Sequence, residues 1–264
     1  MASETRADAR TTTNGERAPA EAAALVEFRN LHKAFDDKQV LRGVDLRVNR
    51  GETQVIMGSS GSGKSVLLSM LVGLLTPDDG QVLVEGEDVT RFTTIDEWRR
   101  VWLRTGFLFQ GAALFDSMTV GENIAFPLRQ HRDLDEDEIA ARVAEVLSWI
   151  ELEGIEEKMP SELSGGMQKR VGLARSIVLT PEIVVYDEPT TGLDPLTSDT
   201  ISDLIRRLQR ERQVTSIVVT HDVRCAFLVA DRIAMLDEGR ILVEGSLEEI
   251  KHHPNAKLRA FLYG

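Results

Sequence analysis

The sequence predicts an α/β fold in which a mainly parallel central sheet is accompanied by a smaller antiparallel sheet and by helices. Through most of the chain, short apolar runs alternate with helical patterns, which is typical of parallel strands joined by helices on both faces of a sheet. The earliest stretches instead alternate apolar and polar residues, which favours an antiparallel side sheet. A glycine-rich loop lies between an apolar run and a helical pattern, and this context predicts a phosphate-binding turn.

Composition indicates a soluble globular protein of one large domain or two small ones. The 264 residues are 42% hydrophobic and 28% charged, and no apolar stretch reaches the ~20 residues that a membrane helix needs. The polar first residues do not resemble a signal peptide. A net charge of −12 makes nucleic acid an unfavourable main partner, because phosphate binding normally needs a basic surface. The single cysteine, Cys225, excludes an internal disulfide and fits a reducing cytosol.

Residues 1–24 predict a disordered tail, because they are rich in Ala, Thr, Glu and Arg and show no apolar periodicity. Order is expected from Leu25, with strands at 25–30 and 40–48. Phe35 lies between these strands. Taken alone it would be a core residue, but its place shortly before the glycine-rich loop makes stacking on an adenine at least as strong an interpretation.

Residues 58–65 match the phosphate-loop pattern G-x-x-x-x-G-K-[ST]. Glycines let backbone N–H groups turn inward around an anion, and the following helix points its positive end at the same place. Lys64 supplies a charge for the β- and γ-phosphates, and Ser65 supplies a hydroxyl ligand for Mg²⁺. A chance glycine-rich turn of this form is expected in on the order of 1% of chains this long. The predicted nucleotide-binding residues are Gly58, Ser59, Ser60, Gly61, Ser62, Gly63, Lys64, Ser65 and Val66.

The other elements follow from apolar periodicity and from turn residues. Strands are expected at 53–57, 82–84, 107–109, 183–186, 216–219, 233–236 and 241–243. Helices are expected at 66–75, 95–104, from 118 onward, and at 135–150, 167–179, 195–211 and 223–230. Two short helices, at 247–251 and 256–262, close the chain.

Two further stretches carry chemistry. Asp187 and Glu188 follow an apolar strand, the position at which an α/β sheet presents catalytic groups. Asp187 is expected to hold Mg²⁺, and Glu188 to orient and deprotonate an attacking water, although two loop carboxylates are common at strand ends. Ser164 resembles a helix N-cap, and the two glycines after it leave backbone N–H groups exposed to an anion.

Taken together, six ordered motifs resemble those of ATP-binding cassette (ABC) ATPases. Gln110 alone would be an ordinary surface amide and His221 alone a structural histidine, so only their order and spacing single them out. The motifs are similar to that family's Walker A loop at 58–65, Q-loop at Gln110, LSGGQ motif at 163–167 with Met167 in place of the usual Gln, Walker B strand at 183–188, D-loop at 191–194 and switch histidine at His221.

This resemblance implies a P-loop NTPase fold of ABC type over residues 25–245, with a helical subdomain at about 111–180 and short C-terminal helices at 246–264. ATP and Mg²⁺ are the implied cofactors, with Phe35 at the family's adenine-stacking position. The implied catalytic residues are Glu188, His221 and Gln110, the implied metal ligands are Ser65, Gln110 and Asp187, and a further face of the nucleotide is implied to contact Ser164, Gly165 and Gly166.

The resemblance also implies an assembly. In the family, the phosphate loop and the LSGGQ motif lie too far apart within one subunit to share a phosphate, so a second copy must complete each site. An ATP-dependent homodimer beneath separate integral membrane permease subunits is therefore expected. Such a protein is cytoplasmic and peripheral on the inner face of the cell membrane.

A narrower resemblance bears on the transported substrate. Residues 110–120, 126–128 and 160–167 are similar to the ATPases of Mce/Mla-type lipid transporters. This implies transport of phospholipid or another lipid, with Mce-type substrate-binding proteins as further partners. Three alternatives stay open: an ABC ATPase for uptake of a polar solute such as amino acids, a soluble mechanical or DNA-repair ATPase, and a nucleotide-sensing regulator without turnover.

Overall fold

The computed structural model describes residues 24–264, and within them it confirms the expected pairing of two sheets with helices. The strands of the smaller sheet are β1 (Ala24–Phe35), β2 (Lys38–Asn49), β4 (Asp79–Val84) and β5 (Glu87–Asp88), in the order β2-β1-β4-β5. The strands of the larger sheet are β3 (Thr53–Met57), β6 (Thr105–Leu108), β7 (Ile183–Asp187), β8 (Thr215–Thr220), β9 (Arg232–Asp237) and β10 (Arg240–Ser246). Every pairing in the smaller sheet is antiparallel, as the alternating sequence pattern predicted.

Helices connect these strands. They are α1 (Lys64–Leu71), α2 (Ile95–Trp102), α3 (Val120–His131), α4 (Glu136–Trp149), α5 (Gly165–Ile177), α6 (Pro195–Arg212), α7 (Val223–Val229), α8 (Leu247–His252) and α9 (Ala256–Tyr263). None of the helices within residues 24–264 has the length and apolar character that crossing a membrane requires.

The order of the larger sheet is β10-β9-β3-β8-β7-β6, and only β10 runs antiparallel to its neighbour. All five residues of β3 are buried, because the sheet is covered on both faces. Met57 at the end of β3 pairs with Thr220 on β8, and Asp187 at the end of β7 pairs with Val219. The loops after β3, β7 and β8 therefore leave the sheet at the same end, beyond the carboxyl ends of these parallel strands.

The core lies on both sides of this sheet. Val55 and Met57 pack into an apolar cluster with α3, α4, α5 and α6, whereas Ile56, between them, packs into a second cluster with the antiparallel sheet. This alternation is the period of two that a strand imposes on its side chains. The central strand that carries the phosphate loop is thus held from both faces.

The first strand is longer than expected, since Leu31 to Phe35 continue it. Register shifts occur between Phe28 and Leu31, where Asn30 has a φ of 47°. A bulge of this kind displaces the apolar–polar alternation by one position, which hides the second half of the strand from a periodicity argument. Asp36, also left-handed with a φ of 49°, then turns the chain into β2.

Several helix boundaries differ by a few residues from expectation, and two of these differences have a clear local cause. Helix α5 begins at Gly165, not at Met167, because Ser164 caps it by accepting a hydrogen bond from the backbone of Met167 at 3.3 Å. Glycine disfavours helices, so the sequence predicts a loop rather than a helix at Gly165 and Gly166. Helix α1 ends at Leu71, four residues early, and is followed by Gly73 in a left-handed conformation.

The predicted tail over 1–24 lies outside the described residues except for Ala24, which opens β1. The predicted boundaries of the 25–245 domain and of the 111–180 helical subdomain remain predictions.

Candidate functional site

The glycine-rich loop joins the central strand β3 to α1. Gly63 is the N-cap of α1 and has a φ of 109°, which L side chains rarely adopt. A Cβ atom at this position would lie 2.7 Å from Cδ2 of Leu41. Glycine is therefore required for the turn that aims the N-terminus of α1 at the loop, the arrangement that binds phosphates.

Lys64 folds back over this loop. The residue is 6% exposed, and its Nζ donates to the carbonyl oxygens of Gly58 at 2.9 Å and Ser59 at 3.0 Å. The same nitrogen lies 3.7 Å from Oε1 of Glu188, at the end of β7. A positive charge thus sits between the loop and the carboxylate that sequence analysis selected as a base.

Ser65 and Asp187 form a pair of oxygen donors beside the loop. The Ser65 hydroxyl donates to Oδ1 of Asp187 at 3.3 Å. Burial raises the pKa of the Asp187 carboxyl, although the hydrogen bond from Ser65 acts in the opposite direction. A cation bound here would relieve the cost of this burial.

The donor set fits Mg²⁺. Within residues 24–264, no cluster of three or more His, Cys, Asp or Glu side chains could hold a metal ion. Mg²⁺ does not need such a cage, since it usually binds one or two protein oxygens together with waters and substrate phosphates. Ser65 and Asp187 offer two hard oxygen ligands of this kind.

Glu188 is fixed by contacts from the neighbouring strand. Its φ of 49° is left-handed, and its backbone N–H donates to Val219 on β8 at 2.9 Å. Its Oε2 lies 2.8 Å from Nδ1 of His221 and accepts the hydroxyl of Thr191 at 3.1 Å. A carboxylate that is buried and held by several donors has a defined direction, as a general base requires.

These residues surround one cavity of about 1340 Å³. The predicted residues that line it are Phe35, Ser59, Ser60, Gly61, Gly63, Lys64, Ser65, Val66, Gln110, Glu188 and His221. Gly58 and Ser62 are buried within the loop, and Asp187 reaches the site through Ser65. The cavity therefore unites residues from five separate parts of the chain.

The predicted phosphate contacts Ser164, Gly165 and Gly166 do not line this cavity. Ser164 and Gly165 are exposed at the start of α5. A Cβ on Gly166 would lie 2.3 Å from Cγ2 of Thr197 on α6, so this glycine allows the two helices to approach closely. Within one chain, the structure keeps the Ser164 turn apart from the phosphate loop.

Several residues at the site were missed by sequence reasoning. Residues 36–40, Arg42 and Phe261 also line the cavity. The β1–β2 turn could have been suspected because it follows Phe35, but no sequence signal connects α9 to the site. Lys169, buried on α5, donates to the carbonyl oxygen of Glu188 at 3.3 Å, and Asn123 on α3 is completely buried.

Residues 41–191, more than half of the chain, match the profile of the family described as ABC transporter. The chain belongs to the ABC transporter family. As an ABC cassette it is an ATPase, and the resemblance that sequence analysis drew from its six motifs is confirmed.

Relatives of the cassette are named for the transport of different substrates. It is 38% identical to Arabidopsis thaliana protein TRIGALACTOSYLDIACYLGLYCEROL 3, chloroplastic, over 91% of this chain and 74% of that one. It is also 38% identical to the intermembrane phospholipid transport system ATP-binding protein MlaF of Haemophilus influenzae, over 91% of this chain and 90% of that one. Other relatives, 35–40% identical, are named for ribonucleotide, Fe(3+) and sulfate or thiosulfate transport.

Solved structures agree with the fold. The ATP-binding cassette MJ0796, in a dimeric post-hydrolysis state bound to ADP and Pi, matches with a TM-score of 0.77 and 33% identity. The match covers 84% of the cassette and 98% of that chain.

Proposed function

We propose that the cassette hydrolyses ATP between two copies of itself and thereby drives a separate membrane permease that moves phospholipid or another lipid. The observation that carries the hydrolytic part is the convergence of Lys64, Glu188 and His221 on one cavity.

Each residue has a role that its contacts support. Lys64 neutralises charge on the β- and γ-phosphates, and Phe35 stacks on the adenine at the outer end of the cavity. Glu188 accepts a proton from the attacking water while His221 orients its carboxylate. Ser65, Asp187 and Gln110 would hold Mg²⁺, which neutralises phosphate charge when bound.

A second copy completes each site. The N-terminus of α5 at Ser164 presents N–H groups suited to a phosphate, yet it stands outside the cavity of its own chain. The dimeric state of the similar cassette supports an arrangement in which the Ser164 turn faces the partner's phosphate loop. ATP then joins two copies, and hydrolysis releases them.

Mixing two inactive variants tests this sharing. Ser164→Arg blocks the turn but leaves the phosphate loop intact, whereas Lys64→Ala does the reverse. Neither homodimer should hydrolyse ATP, but a mixture should regain activity, because one composite site per heterodimer is intact. An absence of rescue where heterodimers are shown to form would contradict the shared site.

The surface that faces the permease is proposed to be the segment from Leu114 to Val120, called here the docking segment. Phe115 is 41% exposed although its ring packs on Phe126 with centroids 5.0 Å apart. A large aromatic side chain held in place yet accessible suits a protein contact. The permease is proposed to position the cassette on the cytoplasmic face of the cell membrane.

Lipid as the transported substrate rests on the sequence of this region. Residues 110–120 and 126–128 are similar to the Mce/Mla-type ATPases, and Mce-type substrate-binding proteins are the further partners we propose. The phospholipid name of the Haemophilus relative supports this choice. Relatives with other transport names have similar identities, so uptake of a polar solute is the alternative.

Deleting the cassette and measuring lipid distribution between membranes tests the substrate. We expect phospholipid to accumulate in one membrane, with normal distribution restored by the unaltered chain but not by Lys64→Ala. An unchanged lipid distribution together with lost uptake of a polar solute would favour the alternative.

The docking proposal predicts that the cassette co-purifies with a multi-span subunit from membranes.

A further inference from the structure

Lys169 connects two parts of the site that lie far apart in sequence. It is on α5, five residues after Ser164, and is only 5% exposed. Its Nζ donates to the carbonyl oxygen of Glu188 at 3.3 Å and also to the carbonyl oxygen of Gln110. One ammonium group therefore joins the backbone of the proposed base to the backbone at the start of the region that leads to the docking segment.

Burying an ammonium group costs free energy unless hydrogen bonds or opposite charges compensate for it. Burial lowers the pKa of the Lys169 ammonium, and the negative charges of Asp187 and Glu188 oppose that shift. Within the described residues, the hydrogen bonds of its Nζ go to backbone carbonyl oxygens rather than to these carboxylates. The position of Lys169 thus constrains the path of the chain more than it neutralises a single side chain.

The contacts of Lys169 bear on a strained residue. Glu188 has a left-handed φ of 49°, a strained conformation that persists only where its surroundings fix it. Its N–H is held by Val219 and its carbonyl oxygen by Lys169. With both neighbouring peptide groups held, the Glu188 side chain is directed toward the cavity.

Three residues of helix α5 contact the chain at residues 110–112. Besides Lys169, Arg175 donates to the carbonyl oxygen of Ala112 at 2.9 Å. A Cβ on Gly172 would lie 3.2 Å from the same carbonyl oxygen, so α5 packs directly against Ala112. Ala112 is itself left-handed, with a φ of 61°. The chain just after Gln110 therefore has a fixed position on α5.

We propose that Lys169 is a positioning residue, which holds Glu188 in its working conformation and makes that conformation depend on the position of Gln110. This inference rests on the proposed role of Glu188 as the base. Displacement of the chain at Gln110 moves Lys169, which releases the carbonyl of Glu188 and turns its carboxylate away. Hydrolysis then responds to what contacts the neighbouring docking segment.

Lys169→Met tests the role, because Met fills similar space without the charge or the donors. We expect its kcat for ATP to fall on the order of tenfold or more while its affinity for ATP changes by less than about twofold. Lys169→Arg keeps a donor and should recover part of the rate. If Lys169→Met does not fold, Lys169→Gln, which keeps a shorter donor, takes its place.

Arg170→Met is the matched control. Arg170 is the next residue on α5, is partly buried, and also donates to two backbone carbonyls, those of Ile150 and Glu151. Its loss removes a comparable cation without touching Glu188, so kcat should be unchanged. Equal kcat values for Lys169→Met and Arg170→Met would overturn the inference.

A double variant separates positioning from a general loss of structure. If Lys169 acts through Glu188, then Lys169→Met should add little to the slow residual turnover of Glu188→Gln, whereas independent effects would multiply. Hydrogen exchange should also accelerate in peptides covering 110–113 and 188–191 in Lys169→Met but not in Arg170→Met. Multiplying rate losses, or unchanged exchange in both peptides, would overturn the inference.

Turnover measurements on two variants distinguish the role of Glu188 from that of Lys169. Normal turnover by Glu188→Gln would refute Glu188 as the base. Slow turnover by Glu188→Gln combined with normal turnover by Lys169→Met would refute the role of Lys169 alone.

Discussion

The imidazole Nδ1 of His221 lies 2.8 Å from Oε2 of Glu188. A general base must be ionised, and an ionised carboxylate only accepts hydrogen bonds, so Nδ1 is the donor in the proposed active state. The backbone N–H of His221 also donates to Oε2, at 3.4 Å, so one residue at the end of β8 holds the carboxylate in two ways. The relationship joins two sequence positions that are 33 residues apart.

His221→Ala is expected to lower turnover at least tenfold with ATP affinity changed by less than about twofold, because it removes the side-chain donor and leaves the phosphate loop intact. Steady-state phosphate release and calorimetric titration with ATP measure the two quantities. Thr191→Val, which removes the hydroxyl contact to the same oxygen at 3.1 Å, should have a smaller effect. Comparable turnover in His221→Ala and the unaltered chain would show that the contact is not functional.

Lys64→Ala should weaken ATP binding by one to two orders of magnitude or more, since a charge-assisted hydrogen bond contributes roughly 1.5–3 kcal/mol. Calorimetric titration with ATP gives the affinity directly. Lys64→Arg keeps the charge but not the compact ammonium, so its affinity for ATP should lie between those of the unaltered chain and Lys64→Ala. If Lys64→Ala left the affinity for ATP unchanged, the phosphate loop would not be the nucleotide-binding element.

Asn123 shapes the docking segment. Its side chain accepts a hydrogen bond from the N–H of Phe115 at 2.8 Å and donates to the carbonyl oxygens of Phe115, Met118 and Thr119 at 3.0 Å. Because all of these groups are local, Asn123→Ala should loosen the segment rather than the fold as a whole.

We expect Asn123→Ala to lower the free energy of unfolding by about 2–3 kcal/mol, because it leaves buried polar groups without partners. It should also weaken binding to the membrane subunit without changing affinity for ATP. Urea unfolding and a pull-down from membranes measure these effects. Asn255→Ala, which removes the cap of α9, is the control and should leave membrane binding intact. Normal membrane binding by Asn123→Ala would count against docking at this segment.

Glu182 predicts a pH dependence of stability. It accepts hydrogen bonds from Arg104 at 2.9 and 3.0 Å and from Arg50 at 2.6 Å. These bonds, that from Arg104 foremost, lower the pKa of Glu182 below its ordinary value of 4.5. The folded chain therefore binds this proton less tightly than the unfolded chain does. The resulting stability is fully present above pH 4.5 and is lost as pH falls through the lower folded pKa.

Glu182→Gln should lower the free energy of unfolding at neutral pH by less than about 1 kcal/mol, because the side chain is 42% exposed and its ion pairs are screened by solvent. The difference should shrink toward zero at about pH 3 and also at about 0.5 M salt. Urea unfolding at the two pH values is the measurement. A difference that grows in acid would have the wrong sign for this account.

Much of the fold could be predicted because its signals are local. The phosphate loop occupies a short stretch, and so does the Asp187–Glu188 strand end. In the alternation of strands with helices, each element is marked by the periodicity of its own short segment. The β1 bulge at Asn30 could not be predicted, because it shifts the alternation on which strand prediction depends. The sequence shows that Ser164 resembles a helix cap, and the structure has that cap. The helical conformation of the two glycines after it could not be predicted, because close packing at Gly166 outweighs the poor helix propensity of glycine.

The site was predictable to the extent that its residues belong to motifs. Lys169 was missed because its partners are backbone carbonyl oxygens 59 and 19 residues away, and no side-chain pattern records such contacts. Phe261 was missed for a similar reason, since its place at the cavity depends on where α9 packs. Residues that act through the backbone or through tertiary packing leave no spacing rule in the sequence.

Glu188→Gln isolates the chemistry of the proposed base. Gln keeps the size and hydrogen-bonding reach of Glu but cannot accept a proton from water. It also removes a negative charge near the γ-phosphate, so ATP affinity should hold or rise. Glu182→Gln makes the same chemical change at the start of the same strand, away from the cavity, and should hydrolyse ATP normally.

The most direct test is the steady-state rate of phosphate release by Glu188→Gln at saturating ATP and Mg²⁺. Loss of a general base predicts a rate lower by roughly 10²–10⁴-fold, with ATP still bound. A rate equal to that of the unaltered chain would contradict the assignment of Glu188 as the base and, with it, the mechanism proposed for the site.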